Sequence, residues 1–91
     1  MSRVTIEYSR KFLENRKKFV KNNRARFKYY SKTVRLFLNN PKHPSLSLEK
    51  LSHSPFWTLR LNRSDRIFLI WTSKTSVLFF DIGKHDKYRQ F

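Results

Sequence analysis

Arg60, Arg66, His85 and Tyr88 are the residues of this chain whose types suit chemistry at a phosphate. Arginine does not readily lose its proton and grips phosphate oxygens through paired N–H groups. Histidine changes charge nearer neutrality than any other unperturbed side chain, so His85 suits proton transfer. Tyr88 can donate a hydrogen bond or stack on a base, and Lys50 can stabilise a phosphate or a leaving group. Together these groups suffice to cleave RNA without metal. One removes the 2′-hydroxyl proton so that the oxygen attacks its own phosphate, cations stabilise charge on the phosphoryl oxygens, and another protonates the departing 5′-oxygen. Residue types alone leave open which group is base and which is acid.

Other chemistries find less support. His43, His53 and His85 form no helical ligand pair, carboxylates are few, and the positive charge opposes a cation, so neither metal nor cofactor is expected. A single glycine excludes a glycine-rich phosphate loop, and no serine sits in a nucleophile elbow.

The elements that must gather Arg60, Arg66 and His85 lie between Phe56 and Tyr88. FWTLRLN, DRIFLIW and SVLFFDIG are strand-like runs separated by short polar breaks. A turn centred on Arg63 sets Trp57 opposite Leu69, Leu59 opposite Ile67 and therefore Arg60 opposite Arg66. A two-residue turn would pair Leu59 with Phe68 and put Arg66 on the face of Trp57 and Leu61, so burial selects the first register. A two-residue turn at Lys74-Thr75 then sets Trp71 opposite Leu78, Leu69 opposite Phe80 and Ile67 opposite Ile82. Gly83 falls beside Arg66, which brings Lys84, His85 and Asp86 near both arginines. Like charges directly opposite one another weaken a sheet, so the pair points to an anion placed between them. The arginine face also carries Asp81 along with Phe56, Phe68, Ile70, Val77 and Phe79. It is too apolar to stand bare, so a partner or another segment is expected to cover part of it.

Upstream, Val4, Ile6 and Tyr8 alternate as in a short strand, and Ser9 can cap a helix reaching about Asn22 with Phe12, Leu13, Phe19 and Val20 to bury. A second helix from about Arg24 carries Phe27, Tyr30, Val34 and Phe37 along one stripe and stops before Pro41. Pro41 to Pro55 is irregular. The expected fold is one α+β domain over residues 1–91: an N-terminal strand and a two-helix hairpin packed on an antiparallel sheet that ends in a three-strand meander.

The formal charge is +15, from 21 Lys and Arg against 6 Asp and Glu. Residues 1–44 hold thirteen Lys and Arg against two Glu, net +11, whereas residues 45–91 are net +4. Such an excess asks for a polyanion, and Lys17, Lys18, Lys21, Arg24, Lys28 and Lys84 are candidate RNA-binding residues. No cysteine, signal-peptide core or membrane-length apolar run is present, so a soluble cytoplasmic protein with no membrane partner is expected.

Taken in order, VTIEYS, two basic helices, NNPKHPSLSLEKL, FWTLRLN, DRIFLIW and SVLFFDIGKHDKY resemble the RelE/ParE superfamily of small basic bacterial toxins over nearly the whole chain. There the corresponding strands carry a tryptophan and an arginine, open on an arginine, and end in Gly-x-His-Asp with a tyrosine nearby. Resemblance to the RelE branch implies a type II toxin–antitoxin toxin that cleaves mRNA on the ribosome as an endoribonuclease. It also implies a hetero-oligomer with an acidic antitoxin that neutralises it. By motif, Arg60, Arg66, His85 and Tyr88 match family active-site positions. The ParE branch shares the fold but poisons DNA gyrase, and a noncatalytic RNA- or ribosome-binding module is the third alternative.

Overall fold

Ser9 joins the first two elements. The computed structural model describes residues 4–91, and in it strand β1 (Thr5–Tyr8) runs into helix α1 (Arg10–Val20) through this serine. The Ser9 hydroxyl accepts the Phe12 N–H at 3.0 Å and donates to the Phe80 carbonyl at 3.1 Å, so one side chain caps the helix and ties it to the last strand. Asn22 then adopts a left-handed backbone (φ 54°), which asparagine tolerates better than most residues, and Asn23 caps helix α2 (Arg24–Asn39) by accepting the Arg26 N–H. No described helix is long and apolar enough to cross a membrane.

After α2 a 3-10 turn (Pro44–Leu46) buries Leu46, and four strands follow: β2 (Glu49–Lys50), β3 (Phe56–Arg60), β4 (Asp65–Trp71) and β5 (Ser76–Lys84). A 3-10 segment (His85–Gln90) and Phe91 end the chain. The sheet order is β1-β5-β4-β3-β2. Strands β3 to β5 are antiparallel as expected, and β2, within the stretch expected to be irregular, adds to them antiparallel to β3, but β1 pairs with β5 in parallel, so the sheet is mixed. The helix hairpin and three other strands separate these two partners in the chain, which leaves their relative direction to the tertiary path.

The β3–β4 register is the expected one, with Trp57 opposite Leu69, Leu59 opposite Ile67 and Arg60 opposite Arg66. The β4–β5 register is only half as expected. Ile67 faces Ile82 and Arg66 faces Gly83, but Leu69 faces Phe79 and Trp71 faces Val77, with a bulge between these stretches. The Thr72 N–H reaches the Ser76 carbonyl at 2.9 Å, so the loop is one residue longer than Lys74-Thr75. That shift turns Val77 and Phe79 into the core, and the bulge restores the phase so that Ile82 is also inside.

Phe12, Phe37, Leu59, Ile67, Leu69, Val77, Phe79 and Ile82 are all buried between the helices and one sheet face. Each such side chain contributes roughly 1.5–3 kcal/mol on burial. Two expected core residues stay outside: Leu13 is 40% exposed and Phe27 57%. The stripe on α2 therefore narrows to Tyr30, Val34 and Phe37 plus the buried Thr33.

The opposite sheet face is covered by the chain itself. Phe91 packs against Phe56, Phe68 and Phe80 with ring centroids 5.0–5.8 Å apart, and Phe68 is fully buried. Of the apolar strip expected there, Val77 and Phe79 have rotated inward and Phe68 lies under the C-terminus.

Candidate active site

Arg60 and Arg66 stand directly opposite one another on the face away from the helices. Asn62 builds the turn between them. Its Oδ1 accepts the Ser64 and Asp65 N–H groups at 2.9 and 3.0 Å, and its Nδ2 donates to Asp65 at 2.8 Å. Arg66 Nη1 donates to the Asn62 and Asp65 carbonyls at 2.8 and 3.0 Å, which holds the guanidinium against the turn. Burial, and then the charge of Arg60, pull the Arg66 pKa down, while Glu49 and Asp65 oppose the shift. Among the described residues neither arginine lies within ion-pairing distance of a carboxylate. A partly desolvated Arg66 beside an exposed Arg60, with no carboxylate in ion-pairing distance among the described residues, makes a strong anion site.

The same turn anchors the C-terminal residues. The His85 N–H donates to the Ser64 carbonyl at 2.7 Å, so His85 leaves the sheet beside the turn that holds Arg66. Its ring is exposed and lies 5.8 Å from the Tyr88 ring, centroid to centroid. Arg60, Arg66, His85 and Tyr88 are thus carried to one end of the sheet by three strands and one short segment.

Lys50 does not join them. It pairs with Trp57, whose side belongs to the core face, whereas Glu49 pairs with Thr58 and shares the arginine face. The two-residue strand β2 thus presents a carboxylate where a lysine is expected. No sequence pattern could choose between adjacent residues of so short a strand; only pairing with β3 decides it.

Asp81 lies on the arginine face, as expected, and its charged partners are lysines. Its side chain is fully buried, with Oδ1 accepting from Asn15 Nδ2 at 2.7 Å, the Ile82 N–H at 2.8 Å and Lys87 Nζ at 2.9 Å. Lys11 Nζ stands 3.4 Å from Oδ2, which has no hydrogen-bond partner. Burial raises the Asp81 pKa, but the hydrogen bonds from Asn15, Lys87 and Ile82 and the Lys87 charge outweigh it and hold the carboxyl below its ordinary range. Asp81 therefore clamps α1 and the C-terminal segment to β5. Lys87 reaches it across Gly83, where an added Cβ would lie 3.1 Å from Lys87 Cδ.

Lys17, Lys18, Lys21, Arg24 and Lys28 are all exposed on the helix hairpin, and exposed Lys84 faces Asp65 at the end of β5. Among the described residues no three His, Asp or Glu side chains gather as a metal site.

No protein-family model matches the sequence, and no curated protein is detectably similar to it. Solved structures do share its fold, and the fold is that of small toxins of toxin–antitoxin pairs. The YafQ toxin in the DinJ–YafQ complex of E. coli superposes with a TM-score of 0.75 at 16% identity, covering 93% of this chain and 96% of that one. A YoeB/ParE toxin from Agrobacterium tumefaciens gives 0.74 at 10% identity, covering 90% and 99%. YoeB in the YoeB–YefM complex of Staphylococcus aureus gives 0.71 at 20% identity, covering 92% and 99%.

Proposed function

We propose that this protein is the toxin of a type II toxin–antitoxin system and a ribosome-dependent endoribonuclease that cleaves mRNA. The observation that carries this proposal is the cross-strand pair Arg60–Arg66, unpaired by carboxylates, with His85 and Tyr88 held at the same end of the sheet. The arginines take the scissile phosphate and stabilise its developing charge. Glu49, on the arginine face, accepts the 2′-hydroxyl proton, and Lys50, on the other side of β2, is not given the phosphate- or leaving-group role expected of it. His85 donates a proton to the 5′-oxygen, and Tyr88 orients the ring or stacks on the neighbouring base. No step needs a metal ion, so cleavage of end-labelled mRNA in a translation reaction leaves 2′,3′-cyclic phosphate or 3′-phosphate ends. On isolated RNA, where ribosome integrity plays no part, any residual cutting survives EDTA. Products with 3′-hydroxyl ends overturn the mechanism.

The exposed lysines act at a different stage. Replacing Lys17, Lys18 and Lys21 together weakens ribosome association and lowers its salt slope by roughly one for each phosphate no longer neutralised, while leaving the single-turnover cleavage rate of bound toxin unchanged. Binding titrations at several salt concentrations check this.

A second proposal, inhibition of DNA gyrase, draws on the fold shared with a protein described as YoeB/ParE. A gyrase supercoiling assay run beside the translation assay separates the two, and a protein inactive in both is a noncatalytic binding module. For any toxin of this charge the partner is an acidic antitoxin, as solved complexes with DinJ and YefM suggest by analogy. Because Phe91 occupies the aromatic nest on the arginine face, the antitoxin meets chiefly charge there rather than the bare apolar strip that the sequence suggests.

A further inference from the structure

A cleft of about 580 Å³ lies at the other end of the sheet and on its other face from Arg60 and Arg66. It opens between the Pro41–Pro44 turn and the loop at Lys74 and Thr75. Its volume is within the range of small-molecule sites. Trp57, Trp71, Leu48 and Pro44 make its apolar walls. The two indoles belong to neighbouring strands and both remain partly exposed, although Trp71 also packs against Phe37 at 6.0 Å.

The charged groups at this cleft are of one sign, and the hydroxyls of Ser47 and Thr75 stand beside them. Lys42 and Lys74 are exposed ammonium groups, and no carboxylate is among the described lining residues. His43 Nδ1 accepts the Ser45 N–H at 3.2 Å, which assigns the proton of the neutral ring to Nε2 and makes that nitrogen a donor. Donors around planar apolar walls select a ligand that is flat and aromatic at one end and anionic at the other.

We propose that this cleft is a second RNA-binding site, which takes one unpaired base between the tryptophans and its phosphate at Lys42 and Lys74. An acidic peptide offers the same charge, but an amphipathic helix needs a groove open along several turns. This cleft is bounded at two sides by turns of the chain, and its size suits a single nucleotide. Stacking on an aromatic ring contributes ~1–3 kcal/mol per base without demanding a particular sequence, as a docking contact to structured RNA requires. The site shares no residue with the proposed cleavage centre, so each stands or falls by itself.

Trp57 and Trp71 are the two tryptophans of the chain, so intrinsic fluorescence reports on this cleft directly. The whole protein is titrated with AMP, GMP, CMP and UMP, with ribose 5-phosphate as the base-free control and a poly-glutamate peptide bearing one phenylalanine as the peptide control. The expected result is saturable quenching by the nucleotides, with ribose 5-phosphate binding ~10-fold more weakly, the equivalent of ~1.4 kcal/mol of stacking. Replacing both Lys42 and Lys74 by alanine weakens nucleotide binding, whereas Lys32→Ala, at an exposed lysine of α2 outside the cleft, binds like the parent. Absence of saturable quenching, or quenching indifferent to the two lysines, overturns the proposal. Tighter binding of the peptide than of any nucleotide also overturns it and assigns the cleft to a protein partner. Trp71→Phe, which keeps an aromatic ring against Phe37, guards against loss of fold: it retains nucleotide binding with the signal from Trp57 alone.

Discussion

His85→Ala is expected to lower mRNA cleavage by ~10² or more while leaving ribosome association nearly intact, because the imidazole transfers a proton and contributes little to docking. The geometry isolates this effect. The His85 backbone is tied to Ser64 and its ring is exposed, so losing the ring creates no cavity and breaks none of the described backbone hydrogen bonds. Glu49→Gln, isosteric and at an exposed position, tests the other proton-transfer group and should slow cleavage by a similar factor, whereas Lys50→Ala on the opposite side of β2 should not. Single-turnover cleavage with ribosome-bound toxin separates chemistry from binding. Parental rates for both His85→Ala and Glu49→Gln would overturn this assignment of acid and base.

The second large effect is structural and reaches the same centre from beneath. Asp81→Ala should destabilise the fold toward the low end of the ~3–5 kcal/mol expected when one member of a buried ionic cluster is removed, because Lys11 and Lys87 can turn partly to solvent. Urea denaturation measures this. Lys87→Met is the milder companion: it frees the C-terminal segment without touching the bonds to α1, so amide exchange should quicken over residues 85–91 and cleavage should fall while the core transition changes less. The pH dependence has a definite sign. The folded Asp81 carboxyl titrates below its unfolded value. Its contribution is therefore complete above the unfolded value of about 3.9 and disappears as pH falls through the folded one. The parent should lose stability on acidification below about pH 4 more steeply than Asp81→Asn does. Equal acid slopes would show that Asp81 carries no such linkage.

Much of this arrangement is legible in the chain. The cross-strand arginines follow from two alternating runs and the turn between them, because a slip of one residue would move Arg66 into the core face and expel Ile67 and Leu69. Ser9, Asn23 and Pro41 mark the helix ends through the local hydrogen bonds and backbone limits of those residue types. Local pattern says less about β5, since SVLFF is apolar on both faces and carries no phase of its own. Hence the expected pairing of Leu69 with Phe80, where the structure pairs Leu69 with Phe79 through a bulge.

By itself, then, the sequence determined the charge, which is a matter of composition, and the helices, the arginine pair and the nearness of His85 to the β3–β4 turn, which depend on neighbours within one hairpin or one helix. Tertiary structure alone decided the parallel seating of β1 on β5, the choice of Glu49 over Lys50, the burial of Asp81 among Asn15, Lys11 and Lys87, and the covering of Phe68 by Phe91. The reason is physical: helix caps and hairpin registers are set by interactions a few residues apart. The seating of β1, the contacts of Asn15 and Lys11 with Asp81 and that of Phe91 with Phe68 join segments far apart in the chain, and β2 is too short to carry a phase of its own; in each case a side chain is compatible with several partners and only the packing of the whole domain selects one.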